Sequence, residues 1–149
     1  MLSIAKNRKA YHDYFINDTF EAGLVLTGTE IKSIRQGHVQ LKESYISIRD
    51  GEAWIKGMHI APYDFGNRFN HDETRDRKLL LHSHEIKKLF KEIQLQGNTI
   101  VPLHLYLKNG RAKLEIGVAK GKHLYDKRAT ERDRSLKREA QKATKERYQ

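Results

Sequence analysis

The sequence predicts a mainly β domain: a small closed antiparallel barrel with two or three flanking helices and a basic C-terminal tail. Three observations predict it. The dipeptides Asp50-Gly51 and Asn109-Gly110 are hairpin turns, each flanked by alternating apolar and polar residues. Two stretches combine helical periodicity with capping signals. Residues 120 to 149 carry eleven Lys/Arg against five Asp/Glu and few side chains able to build a core. Short strands joined by hairpins close most readily into a barrel, because closure removes exposed edges.

Residues 1–10 read as a basic lead-in bearing Lys6, Arg8 and Lys9. Strands are expected near Tyr11–Ile16 and Phe20–Leu26, with Asn17-Asp18 as the turn between them. Thr27 and Glu30 have capping-box spacing, Ile31 and Ile34 share the face of the helix that follows, and Gly37 supplies a positive-φ stop. The Asp50-Gly51 turn sets Ile48 against Ala53 and Ile46 against Ile55. On the opposite face it sets Arg49 against Glu52, Ser47 against Trp54 and Tyr45 against Lys56. The Asn109-Gly110 turn pairs Lys108 with Arg111, Leu107 with Ala112, Leu105 with Leu114 and Leu103 with Ile116. Its other face pairs Tyr106 with Lys113 and His104 with Glu115. A slip of one residue would bury the polar sets, so both registers are well specified.

Between the hairpins, Pro62 to Arg77 reads as the longest loop and Lys78–Leu81 as a short buried strand. A second helix is expected over His84–Leu95, with Ser83 as N-cap, an apolar stripe of Ile86, Leu89, Phe90 and Ile93, and Gly97 as its stop. From Asp126 onward the composition favours helix, but Leu136 is the one sizeable aliphatic. An isolated helix of that kind is marginal in water. The tail is therefore expected to be disordered when free and to fold on a phosphate-lined partner, with Ala129, Arg132, Leu136 and Ala140 as one stripe.

The 149 residues suit one domain plus a tail: a lead-in at 1–10, a barrel at 11–122 and the tail at 123–149. The absence of cysteine excludes a disulfide framework, a thiolate nucleophile and a cysteine zinc site. No apolar run approaches the roughly 20 residues of a membrane span. The first residues lack a secretory apolar region, so a cytoplasmic protein is expected. No phosphate-binding glycine loop, nucleophile elbow or zinc-protease motif is present, and neither an enzyme nor a cofactor is expected. His71, Asp72, His82 and His84 have poor metal-ligand spacing, and no metal site is expected. His12 and His104 are candidates for histidine-driven RNA cleavage, without support from their spacing.

A formal charge of +10 on so short a chain points to a polyanion. Tyr45, Arg49, Trp54, Lys56, Tyr106 and Lys113 lie on the outer hairpin faces, where aromatic and basic side chains can stack bases and hold phosphates. The alternative is an ordinary half-exposed sheet surface. The loop residues Asn67, Arg68, Phe69, Asn70, His71, Arg75, Arg77 and Lys78 could line an RNA groove; the alternative is a solvated loop. Small barrels of the oligonucleotide-binding type suit this pattern. Two readings follow from the residues: a dedicated RNA partner, or a general structured-RNA chaperone or ribosome-assembly factor.

Five ordered blocks resemble the small protein B family, the SsrA-binding proteins of bacterial trans-translation. They are Asn7–Ala10 with His12-Asp13-Tyr14; Thr19–Gly23; Gly28–Ser33; Arg77–Leu81; and Ala119–Lys122 with Tyr125–Arg128. The resemblance implies an oligonucleotide-binding (OB) barrel that binds the tRNA-like domain of transfer-messenger RNA. It further implies delivery of that RNA, with elongation factor Tu, to ribosomes stalled without a codon, where the tail enters the mRNA channel and folds as a helix. By resemblance, Glu21, Leu80 and His82 match positions that bind transfer-messenger RNA. His12 matches a histidine facing ribosomal RNA. Lys120, Lys122, Asp126, Lys127 and Arg128 match the segment needed for tagging on the ribosome. His123 stands where the family usually has a lysine, which weakens one phosphate contact at neutral pH.

Overall fold

The computed structural model describes residues 1–63 and 70–122. Asn67, Arg68, Phe69, Asp126, Lys127 and Arg128, and the expected behaviour of the tail, lie outside the described residues. Nine strands and three helices are found along the described residues. Seven strands form one antiparallel sheet in the order β1-β8-β9-β2-β7-β5-β4. They are β1 (Leu2–Lys6), β2 (Tyr14–Leu24), β4 (Tyr45–Arg49), β5 (Glu52–Lys56), β7 (Arg77–Leu80), β8 (Asn98–Lys108) and β9 (Arg111–Gly121). The short strands β3 (Val39–Gln40) and β6 (His59–Ile60) pair separately.

The sheet rolls until β4 comes within 8 Å of β8, Cα to Cα, but the two do not pair. The expected closed barrel is thus corrected: no closing ladder exists among the described residues. The reason lies in the N-terminal residues. Those read as a lead-in form β1, which hydrogen-bonds the edge of β8 that a closing strand would need. With β9 on its other side, β8 has no free edge left over His104–Leu107.

Both turns behave as their sequences demand. Asp50 and Gly51 have φ of 53° and 75°, and Asn109 and Gly110 have 52° and 77°, so both central residues of each are left-handed. The first hairpin keeps all five expected pairs. The second keeps its expected pairs from Lys108–Arg111 to His104–Glu115, then slips, so that Ile116 faces Pro102 rather than Leu103. Proline has no N–H to offer a ladder, and an irregularity beside it leaves the neighbouring carbonyls for other donors. Asn7 takes both: its backbone N–H donates to the Leu103 carbonyl at 2.9 Å and its Nδ2 to the Pro102 carbonyl at 2.8 Å.

Asn7 also caps α1 (Arg8–Asp13), accepting from the Ala10 N–H, so α1 replaces the start of the strand expected at Tyr11–Ile16. Nor do Asn17 and Asp18 make a turn. The residues on both sides of them pair with the same partner, β9, so they form an irregularity within one long β2. The helix α2 (Gly28–Arg35) has the expected capping box between Thr27 and Glu30. It ends at Gly37 in a Schellman motif, with His38 N–H bonded to Ser33 O and Gly37 N–H to Ile34 O. The third helix, α3 (Ser83–Ile93), is capped by His82 instead of Ser83, because the Glu85 carboxylate accepts the His82 N–H at 2.9 Å.

The main core fills the concave side of the sheet with Ile34, Ile46, Ile55, Met58, Ile60, Leu79, Leu89, Ile100, Leu105 and Leu114, among others. Each such aliphatic contributes about 1.5–3 kcal/mol on burial. A smaller cluster of Ala10, Val101, Leu103 and Ala119 seats α1 on the far end of β8 and β9.

Candidate nucleic-acid interface

Paired residues in an antiparallel ladder project to the same side, so the registers define the outer face. One row crosses the sheet as Leu80, Gly23, Lys113, Tyr106 and Ser3. The next row holds Glu21, Glu115, His104 and Lys6. Lys78, two residues before Leu80, faces Trp54 on β5, which brings the first hairpin onto the same surface. The outer faces of the two hairpins therefore form one continuous surface.

At one end of it, Glu21, Lys108, Asn109, Arg111 and Lys113 line a cleft. Tyr106 is buried, yet its hydroxyl donates to Glu21 Oε2, and Lys108 Nζ lies 3.8 Å from the same oxygen. The Tyr106 hydrogen bond, with Lys108 and Lys113 nearby, holds the Glu21 carboxyl below its ordinary range. Burial, followed by Glu21 itself, pushes the Tyr106 phenol well up. Glu21 is thus a fixed carboxylate and Tyr106 a fixed donor at neutral pH. Leu80 is 53% exposed, so it belongs to this surface and not to the core, where Leu79 sits instead. The His82 side chain is 74% exposed at the start of α3. Lys78 pairs with Glu52 at 2.8 Å. Trp54 carries the Arg49 guanidinium 4.8 Å from its ring centroid, so one ring face is already covered.

Arg77 corrects an expectation. Read as a groove residue, it is fully buried, with no surface left for a phosphate. Its Nε donates to Glu30 at 2.6 Å, its Nη1 to the Met58 carbonyl at 2.6 Å, and its Nη2 to the carbonyls of Asp72 and Glu73 at 3.1 Å. Arg75 donates to both oxygens of Glu30, at 3.0 and 2.7 Å. Two arginines and one buried carboxylate therefore pin residues 72–77 to α2. Alternation along β7 groups Arg77 with Leu79 and Lys78 with Leu80, one cation and one leucine on each face, so the sequence alone does not say which face is buried.

A second group gathers where α1 meets the start of β2 and the end of β9. The His12 side chain is 88% exposed, its Nδ1 lying 2.9 Å from Asp13. Lys122 Nζ donates to the Tyr11 carbonyl at 3.3 Å and lies 5.2 Å from the Phe15 ring centroid. Lys120 stands between Phe15 and Asn98 in the ladder, and Phe15 is exposed. The structure thus brings His12, Lys120 and Lys122 to one end of β9, and Glu21, Leu80 and Lys113 toward the other. At about 3.4 Å per residue, the seven steps from Lys113 to Lys120 separate the groups by roughly 24 Å.

Two further histidines are engaged locally. His71 bridges Thr29 Oγ1 and the Ile60 carbonyl, each at 2.9 Å. His104 bonds Ser3 at 2.8 Å and packs on the Tyr106 ring, without joining His12. Among the described residues no cluster of three metal-binding side chains occurs, and no helix is long and apolar enough to cross a membrane.

A family model described as SmpB protein matches residues 4–146. The chain belongs to the SmpB family. Among similar SmpB relatives, the SsrA-binding protein of Lysinibacillus sphaericus is 58% identical over 146 residues, covering 98% of this chain and 94% of its own. That of Geobacillus kaustophilus is 58% identical over 144 residues, covering 97% and 93%. Among solved structures, one described as tmRNA-SmpB on a journey to the centre of the bacterial ribosome aligns with a TM-score of 0.69 at 45% identity. It covers 80% of this chain and 85% of that one. The SmpB resemblance carried by five sequence blocks thus extends over nearly the whole chain.

Proposed function

We propose that this protein binds the tRNA-like domain of transfer-messenger RNA and delivers it to stalled ribosomes for trans-translation. The observation that carries the reading is near-full-length kinship with SsrA-binding proteins, together with likeness over 80% of the chain to the solved tmRNA-SmpB structure. The geometry supports it by offering two distinct basic surfaces on one body. Glu21, Leu80, Lys78 and His82 are the candidate contacts to transfer-messenger RNA, with Arg77 holding the neighbouring segment from inside. His12, Lys120 and Lys122 are the candidate contacts to the ribosome, followed in sequence by Asp126, Lys127 and Arg128. In this reading the protein is a cytoplasmic, non-catalytic adaptor, and elongation factor Tu joins the delivery complex. The rolled sheet, with β4 turned toward β8, supports an OB architecture in its partly open form.

The test is a gel-shift competition at about 150 mM salt, where the non-specific electrostatic term is weakened. Labelled tRNA-like domain competes against elongator tRNA and a generic duplex. Strong preference for the first is expected. Equal competition by all three would move the protein to the structured-RNA chaperone class.

A further inference from the structure

The apolar stripe of α3 is divided. Leu89 is fully buried and Ile93 packs against the main core, whereas Phe90 is 49% exposed and Ile86 is half-buried outside that cluster. Ile48 of β4 pairs with Ala53, which pairs with the buried Leu79. It therefore lies on the concave side of the sheet, opposite the outer face that carries Trp54. Ile48, Ile86 and Phe90 line a groove of about 410 Å³ together with the Asp50-Gly51 turn. Lys87 and Lys91 line it as well, and both are exposed. Lys88 pairs with Asp18 at 3.2 Å, but among the described residues neither Lys87 nor Lys91 has an ion-pair partner. Asp50 is the one carboxylate in the lining, and it pairs with neither. The two lysines stand one helical turn apart, like charges that weaken an isolated helix.

We propose that this groove docks an acidic amphipathic segment of a protein partner. Its apolar side chains seat among Ile48, Ile86 and Phe90, and its carboxylates pair with Lys87 and Lys91. The charge of the rim selects this occupant. The chain's own tail is rich in Lys and Arg and would be repelled by the two lysines. Phosphates suit the lysines, but bases are read by hydrogen bonds at their edges, and the side chains of Ile48 and Ile86 offer none. An amphipathic helix laid in an apolar groove needs an apolar floor and a complementary charged border, and both are present. Phe90 is the anchor, since an aromatic side chain at the centre of such a contact carries much of its energy. The groove lies across the sheet from the candidate RNA face, so a protein here and an RNA there are held at the same time.

The experiment selects a displayed library of random peptides on the full-length wild type at about 150 mM salt, after depletion on full-length Phe90→Ala. Salt at that level screens charges more than about 8 Å apart, which limits general attraction to a basic protein. The selected peptides are expected to combine Asp or Glu with Leu or Phe at helical spacing. Their affinities are then read by fluorescence anisotropy. Phe90→Ala and Lys87→Glu are each expected to weaken them about 10-fold. Lys42→Glu, an equal change of charge at a residue outside the groove, is expected to weaken them less than about 2-fold. Lys87→Glu leaves the apolar floor intact, so a folding defect at Phe90 cannot account for both losses. Three results overturn the proposal. The first is a selection that yields no peptide dependent on Phe90, or only peptides without acidic residues. The second is equal weakening by Lys87→Glu and Lys42→Glu. The third is an oligouridine RNA that displaces the peptides from wild type and itself depends on Phe90, which would assign the groove to RNA.

Discussion

Replacing Glu30 by alanine tests the centre of the fold most directly. Glu30 accepts from the Thr27 N–H at 2.8 Å, from Arg75 at 2.7 and 3.0 Å, and from Arg77 at 2.6 Å. The side chains of Glu30 and Arg77 are both 0% exposed. Removing the carboxylate leaves a guanidinium buried without its counter-charge, a loss of about 3–5 kcal/mol. The orphaned Thr27 N–H adds about 1 kcal/mol. Against a typical total of about 5–15 kcal/mol this is a large fraction, equivalent to a fall in Tm of roughly 12–20 °C. Urea unfolding followed by circular dichroism, with a thermal scan, reads it. Glu30→Gln keeps an acceptor for the cap and should fall between. A loss below about 1 kcal/mol for the alanine variant would refute the argument that this carboxylate neutralises Arg77. Burial raises the Glu30 pKa, but hydrogen bonds from Arg75, the Thr27 N–H and Arg77 outweigh it and leave the group below its ordinary 4.5. A depressed folded pKa means its contribution is complete above about pH 4.5 and is lost as pH falls through the folded value. Stability of Glu30→Gln should therefore fall less steeply than that of wild type below pH 4.5.

Other expectations follow from single contacts. A Cβ at Gly117 would lie 2.8 Å from Leu103 Cδ1 and 2.9 Å from Ile16 Cγ2. Gly117→Ala should therefore cost about 1–3 kcal/mol in urea unfolding, and unchanged stability would mean those methyl groups move aside freely. Lys113→Ala should lower the slope of log affinity against log salt by about 1 without shifting Tm, checked by binding titrations at several salt concentrations. Replacing Asp126, Lys127 and Arg128 together by alanine should leave affinity for the tRNA-like domain intact while tagging in a reconstituted translation system fails. Loss of RNA affinity would dissolve the division between body and tail.

Sequence reasoning succeeded where the physics is local. The two hairpins were legible because a two-residue loop with positive φ dictates register, and the α2 capping box because four residues determine it. Apart from the local caps at Asn7 and His82, the failures share one cause, a partner distant in sequence. Leu2–Lys6 becomes a strand only because β8, about a hundred residues later, offers an edge. Asn17-Asp18 has turn composition, but β9 pairs on both sides of it and keeps the strand going. Arg77 reads as a surface cation until Glu30, 47 residues earlier, is found beside it. The Tyr106–Glu21 contact spans 85 residues, and no periodicity announces it. The five family blocks located the candidate site residues, but they gave no sign that Arg77 points inward or that Leu80 points out.

The arrangement of β9 bears on how the two surfaces work together. It carries Lys113 near one group and Lys120 near the other, and β2 and β8 pair along nearly its whole length. A strand held on both sides transmits no independent motion, so the groups sit at a fixed separation of roughly 24 Å. Sites farther apart than about 7–10 Å with no shared partner have additive effects. If each surface serves its own RNA, Lys113→Ala and Lys122→Ala should act separately: the first on affinity for the tRNA-like domain, the second on engagement of the ribosome. The double variant should then show the sum of the two effects in each assay. Strong coupling in the binding assay would mean that the tRNA-like domain reaches both ends of β9. Lys120 and Lys122 would then belong to the surface that holds transfer-messenger RNA, and the ribosome-facing role would pass to His12 and the residues after 122.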